Sequence, residues 1–343
     1  VESITADYEN VRIQRLKRSQ TKEKISLEVA RKNKYKINWN KSHIYKPKQL
    51  GIQVLNLDLS ILRNYIDWTP FFQSWELAGK YPQILKDEIV GIEAQKLFDD
   101  ANQMLDKIIS EKSIQAKAIV GIFGANSVGD DIVIYNENKQ EIEKLLNLRQ
   151  QIKKSASQAN FCLSDFIAPI DSGLKDYLGS FAVSSGFGVD ELVKGYEANH
   201  DDYQAILVKA IADRMAEAGA EYIHYLVRTS IWSYQKEEKL TNDDLIHEKY
   251  QGIRPAPGYP ACPDHTEKDK LWKLLNVEEN IGITLTESKA MYPAASVSGW
   301  YFAHPESKYF GISEIEDDQL KDYAERKKWN LTTVKKWLGP LIN

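Results

Sequence analysis

GIRPAPGYPACPDH, residues 252–265, places four prolines, Pro255, Pro257, Pro260 and Pro263, within nine residues. Each proline ring fixes φ, so this loop is stiff before anything binds it and loses little entropy when something does. The stiffness exposes Arg254 beside the pair Gly258-Tyr259, an arrangement that suits a small anionic ligand. A guanidinium offers five donors in one plane and can take a carboxylate through two parallel hydrogen bonds. An arginine that merely ties the loop down is the competing reading. Two others are weaker. Cys262, Asp264 and His265 crowd three potential metal ligands into four residues, too tightly to surround one ion, and no CxxC or HxxxH supplies the rest. A Cys262 nucleophile beside His265 is hampered by Pro263 between them.

On the N-terminal side, residues 5–31 lack Pro and Gly and read as a moderately amphipathic helix, with 32–52 a connector. IQVLNLDLSILRNYI (52–66) begins with strand alternation and continues as helix. Residues 118–123 and 132–135 read as a hairpin about a turn at 124–130. Gly121, Gly124 and Gly129 resemble a nucleotide loop only superficially, because the segment after them is β-branched rather than helical. Residues 161–170 read as a strand, and the small-residue run 179–188 as a bend or tight packing surface. Residues 201–232 form one long helical pattern. Its polar residues Asp213, Glu217, Glu221, His224 and Arg228 share a face, most simply a solvated stripe.

Beyond the proline-rich loop, residues 268–275 read as helix and 283–286, 296–302 and 308–312 as strands. Residues 315–340 read as helix, with acids early and lysines late. A zwitterionic ligand needs an anion for its ammonium, and Asp67, set among aromatics, and Glu217 are the candidates. Charge-assisted contacts contribute about 1.5–3 kcal/mol each, whereas micromolar affinity needs about 8 kcal/mol. Burial against Tyr259, Tyr301, Tyr309 and Phe310 must therefore supply the rest.

The bulk numbers fit this picture. At 343 residues, 43% hydrophobic and 27% charged, the chain has ordinary globular composition. It carries neither a signal-peptide pattern nor a membrane-length apolar run, and Cys162 and Cys262 are too few for a disulfide framework. A soluble, cytoplasmic protein with free thiols is expected. The charge is uneven: residues 1–48 hold 13 Lys+Arg against 5 Asp+Glu in a chain of net charge −4. These basic residues are scattered rather than blocked, which favours a solvated helix and linker over a nucleic-acid arm. The start at Val1 reads as a piece excised from a longer polypeptide.

Five segments together carry a family resemblance: IDWTPFFQSWELAGKYP (66–82), DRMAEAGAEYIH (213–224), GIRPAPGYPACPDHTEK (252–268), LTESKAMYPAASVSGWYFAHPESKYF (285–310) and YAERKKW (323–329). They are similar to the C-terminal activation domain of cobalamin-dependent methionine synthase. The resemblance implies an α+β fold, a C-shaped single domain with a twisted antiparallel sheet surrounded by helices. It implies an S-adenosylmethionine site in which Arg254 holds the ligand carboxylate and Asp67 its amino group. Glu217, backbone groups around Ala256 and Gly258, Tyr259, Tyr309 and Phe310 would complete that site. Phe310 departs from a tyrosine frequent in the family, so no hydroxyl contact arises there. The implied role is reductive methylation of cob(II)alamin to methylcobalamin within a methyltransferase, with an electron from flavodoxin or a diflavin reductase. No catalytic base and no metal ligand are expected in this chain. Cobalamin would be held by another domain, because the D-x-H-x-x-G fingerprint is absent. The expected division is a basic helix and linker over 1–48, toward the cobalamin-binding domain, and the S-adenosylmethionine-binding domain over 49–343. The runner-up is a stand-alone activation protein acting on a separate corrinoid protein.

Overall fold

The computed structural model describes residues 23–40 and 43–342. In chain order, helix α1 (Leu27–Lys32) precedes strand β1 (Gly51–Leu57), the short helices α2 (Leu59–Leu62) and α3 (Thr69–Ser74), and the long helix α4 (Gly91–Glu111). Strands β2 (Gln115–Val128), β3 (Asp131–Tyr135), β4 (Glu141–Leu146) and β5 (Asp176–Phe187) follow. Next come helices α5 (Val189–Ala198), α6 (Asp202–Leu226) and α7 (Asn242–Ile246). The chain closes with α8 (Glu267–Leu275), α9 (Val277–Ile281), the two-residue strands β6 (Thr284–Leu285) and β7 (Met291–Tyr292), strand β8 (Ser296–Tyr301), α10 (Asp317–Lys327) and α11 (Leu331–Leu338).

The main sheet is antiparallel throughout, ordered β4-β3-β2-β5-β8, with β1 sharing the β3 edge of the long strand β2. Because side chains alternate along a strand, β2 feeds two cores. Ala118, Val120 and Ile122 join Phe181 and Val183 of β5 against Ala220 and Ile223 of α6. Ile119, Phe123 and Ala125 join Leu178 and Ala182 against Leu271 and Leu275 of α8. Gly121 is what lets α8 approach: a Cβ there would stand 2.5 Å from Leu275. The α+β class with an antiparallel sheet flanked by helices is as expected.

A third feature ties the early chain to this body. Arg149, fully buried, holds Asp165 through two bonds of 2.8 Å and Asp130 at 2.6 Å. Arg31 of α1 reaches the same Asp130 at 2.7 Å and Asp322 at 2.9 Å. The expected helix over 5–31 falls mostly outside the described residues, and its described helical part is α1.

Several local expectations change. The strand expected at 118–123 extends to Val128, and the turn contracts to Gly129 and Asp130. Of the two readings of 179–188 the tight packing surface holds: residues 179–187 make up most of β5, where Gly179 passes under Tyr301. Residues 161–170 form no strand. The carboxylate of Asp165 accepts from the Cys162 backbone N–H and from Arg149, which closes a 3-10 turn over Leu163–Phe166. Residues 308–312 form no strand either: Ile312 donates to the Pro260 carbonyl, but Pro260 has no N–H to continue a ladder. The long helix runs from Asp202 to Leu226 and ends in a π-helical turn, Val227–Ile231. The helix expected over 315–340 is two, broken at Lys328, whose φ is 57°, and restarted by the Asn330 cap.

Candidate functional site

The proline-rich loop is pinned to β8 on one side and folded onto itself on the other. Trp300 donates to the Pro255 carbonyl at 2.9 Å, and Ile253 and Phe302 exchange backbone hydrogen bonds. Within the loop, Gly258 donates to Cys262 at 2.7 Å and Tyr259 to Ala256 at 3.1 Å. Gly258 sits at φ +94, and a Cβ there would stand 2.3 Å from the His265 ring. Glycine at this position is therefore required by both backbone conformation and space.

This loop forms one wall of a cavity of about 270 Å³ lined by Glu217, Arg254, Ala256, Tyr259, Tyr309 and Phe310, together with Phe181, Glu248, Val297 and Ser298. Six of the eight residues named from sequence thus converge. Gly258 adjoins this lining through Tyr259. Asp67 does not share it: Asp67 lies at the start of α3, where its carboxylate accepts from the Thr69 N–H at 2.9 Å. It lines a second cavity of about 660 Å³ with Trp68, Lys80, Asn242 and His247. Tyr301, expected as a wall, is fully buried, stacked on Phe181 at 4.6 Å and on His224 at 5.0 Å. It stands behind the cavity rather than in it.

Arg254 is fixed from two directions. Its backbone N–H donates to the Tyr309 hydroxyl at 3.0 Å, and its Nη1 donates to Oε2 of Glu221 at 2.6 Å. Burial works against its charge, yet the Glu221 carboxylate with the Tyr250 and Tyr309 phenols more than offsets this and raises its pKa. Burial lifts the Glu217 carboxyl above its usual value, against the pull of Arg254 and Arg214. His224 is fully buried. Burial, with the cations of Arg228 and Arg254 beside it, pushes its imidazole well below the usual range, so it is neutral at physiological pH.

The expected solvated stripe on α6 is corrected here. Asp213 is exposed and Glu217 partly so, but Glu221, His224 and Arg228 are buried, because the sheet and the 234–254 segment cover that end of the helix. The run Ala216, Ala218, Gly219 and Ala220 carried the signal: a helix with small residues around it is packed on more than one face. Sequence reasoning also missed Glu248, Phe181, Val297 and Ser298. Ser298 is 2% exposed, and its buried hydroxyl has no hydrogen-bond partner among the described residues.

The weaker readings of 262–265 find no geometry. Asp264 is committed to Thr266, Tyr323 and Lys327. Among the described residues no three His, Cys, Asp or Glu side chains converge on a metal position. Burial raises the Cys162 thiol to about 12 and the Cys262 thiol well above its usual value, the opposite of what a nucleophile needs.

Residues 58–328 match the family described as "Vitamin B12 dependent methionine synthase, activation domain". The chain belongs to that activation-domain family. The activation domain also superposes on the crystal structure of the MetH reactivation domain bound to AdoHcy, with a TM-score of 0.91 at 53% sequence identity. That match covers 93% of this chain and 99% of the other. No helix among the described residues of the activation domain is long and apolar enough to cross a membrane.

Proposed function

We propose that this activation domain binds S-adenosylmethionine with Arg254 on its carboxylate and presents the methyl group to a cobalamin carried by a neighbouring domain of methionine synthase. The observation that carries this reading is the Arg254 guanidinium, fixed by a proline-stiffened loop at the wall of an anion- and aromatic-lined cavity. The cavity, about 270 Å³, falls just below the roughly 300–1,000 Å³ typical of ligand sites. It fits the amino-acid end of the donor. Glu217 and Glu248 line the same cavity and favour a cationic ligand, while Tyr259, Tyr309 and Phe310 supply apolar and cation-attracting faces. The buried Ser298 hydroxyl, unpartnered among the described residues, fits a polar ligand atom. Asp67, which the family resemblance assigns to the ligand's amino group, lines a separate cavity. Ala256 and Gly258 contribute backbone groups.

Cobalamin supplies the nucleophile that accepts the methyl group. None of the buried imidazoles here suits it as a ligand: His224 is committed to Tyr234 and Arg254, and His304 packs on Trp39. The cofactor would be held by an adjoining domain. This chain's task is alignment, which needs no general base, because a sulfonium is already electrophilic. We further place the module in reductive methylation of the cofactor, with flavodoxin or a diflavin reductase as electron donor and the cytoplasm as compartment.

Titration calorimetry tests the binding claim. The wild-type chain is expected to bind S-adenosylmethionine saturably. Arg254→Ala should weaken it by about 1.5–3 kcal/mol, roughly ten- to a hundredfold, and Arg254→Lys should preserve the charge while losing the planar fork. Unchanged affinity in both variants would remove the assignment.

A further inference from the structure

Behind Arg254 stands a line of buried charge that ligand contact alone does not require. Glu221, one helical turn beyond Glu217 on α6, has its Oε2 2.6 Å from Arg254 Nη1 and its Oε1 3.8 Å from Arg228 Nη1. Arg228 is fully buried, forked onto Glu238 through bonds of 2.6 and 2.8 Å, and laid over the Tyr250 ring at 4.2 Å. The order Glu238, Arg228, Glu221, Arg254 alternates in sign from the core to the cavity wall. Buried ion pairs of this kind add little net stability compared with apolar packing, so a positional role accounts for them better than fold energy does.

Arg254 has a long side chain that would otherwise lose rotamer freedom when a ligand arrived. Its bonds to Glu221 and His224 both leave from Nη1, so they do not consume the Nε and Nη2 edge. Glu221 also partly neutralises the pull of Arg254 on an anion, and Arg228 behind it restores the balance. We propose that Glu221 is a positioning residue: it fixes the Arg254 guanidinium so that its remaining edge meets the ligand carboxylate, which makes the site selective for methyl donors that carry one. This rests on the reading that Arg254 receives that carboxylate.

The test compares S-adenosylmethionine with decarboxylated S-adenosylmethionine, which keeps the sulfonium and the nucleoside, on the full chain by calorimetry. Glu221→Gln preserves shape and removes the charge. It should weaken S-adenosylmethionine about tenfold while leaving the decarboxylated ligand within about twofold of wild type. Equal losses on both ligands, the mark of a structural role, or no loss on either would overturn the proposal. If Glu221→Gln does not fold, Glu221→Asp, which keeps the charge but withdraws it, carries the same comparison: a lower affinity ratio supports the role and an unchanged ratio overturns it. Arg254→Lys, measured in parallel, separates two failures. If it leaves the ratio unchanged, the reading of Arg254 fails; if it lowers the ratio and Glu221→Gln does not, only the positioning role fails.

Discussion

Replacing Gly299 with alanine adds one methyl group where β8 passes beneath the proline-rich loop, at a residue that lines no part of the cavity. The new Cβ would stand 2.8 Å from the Pro255 carbonyl oxygen and 3.1 Å from Phe181. Ordinary contact begins at 3.4 Å, so the loop backbone must retreat by about 0.6 Å. Overpacking of this kind costs about 1–3 kcal/mol. The Trp300–Pro255 hydrogen bond that pins the loop is stretched as well, at up to about 1 kcal/mol. Alanine returns about 0.5–1 kcal/mol by restricting the unfolded chain. The net expectation is a loss of about 1–3 kcal/mol in urea unfolding. Pro255 is bonded directly to Arg254, and binding constellations tolerate displacements of only about 0.5 Å. S-Adenosylmethionine affinity should therefore fall roughly tenfold. The control is Gly195→Ala in α5, where nothing lies within 4 Å of the new Cβ. It should stabilise the protein by about 0.5–1 kcal/mol and leave binding unchanged. If Gly299→Ala binds as tightly as wild type, a loop held rigid by β8 is not what places Arg254.

Three further outcomes are expected. Asp176, pushed up from 3.8 to about 6 by burial against two backbone N–H bonds, holds its proton more tightly folded than unfolded. Its ionisation therefore erodes stability as pH rises through that window, and unfolding at pH 4 and pH 7 should show Asp176→Asn gaining about 2 kcal/mol relative to wild type between the two. A parallel pair of curves would refute this. Arg149→Met strands the buried carboxylates of Asp130 and Asp165 and should cost about 3–5 kcal/mol in chemical denaturation, whereas a loss under 1 kcal/mol would show that water or Arg31 compensates them. His224, with its pKa depressed by burial and two arginines, should keep the ring chemical shifts of neutral imidazole in NMR titration from pH 8 to pH 5. Its neutral form stabilises the fold, and that contribution is lost only as pH falls below the usual histidine range. Protonation near pH 6.5 would refute the burial argument.

The proline-rich loop was legible because proline fixes φ whatever surrounds it. Arg254, Ala256, Tyr259, Tyr309 and Phe310 sit near one another in the fold, and Glu217 reaches them from α6. What remained hidden was set by tertiary partners. Nothing local marks Ser298 on β8 or Glu248 in a turn as cavity residues. Residues 161–170 have strand composition, and only the distant Arg149 explains why Asp165 turns them instead. Residues 308–312 fail as a strand because their neighbour is a proline. The polar stripe on α6 showed spacing but not what covers it, and the cover makes Glu221 a partner of Arg254 rather than a solvated acid. Asp67 shows the same limit: sequence placed it among aromatics but could not say that it lines a cavity apart from the one at Arg254.

A crystal structure of this chain with S-adenosylmethionine at saturating concentration tests the central claim most directly. The account predicts the ligand carboxylate on the Nε and Nη2 edge of Arg254, with Glu221 still on Nη1. A carboxylate bound elsewhere, with Arg254 facing only Glu221, would contradict it.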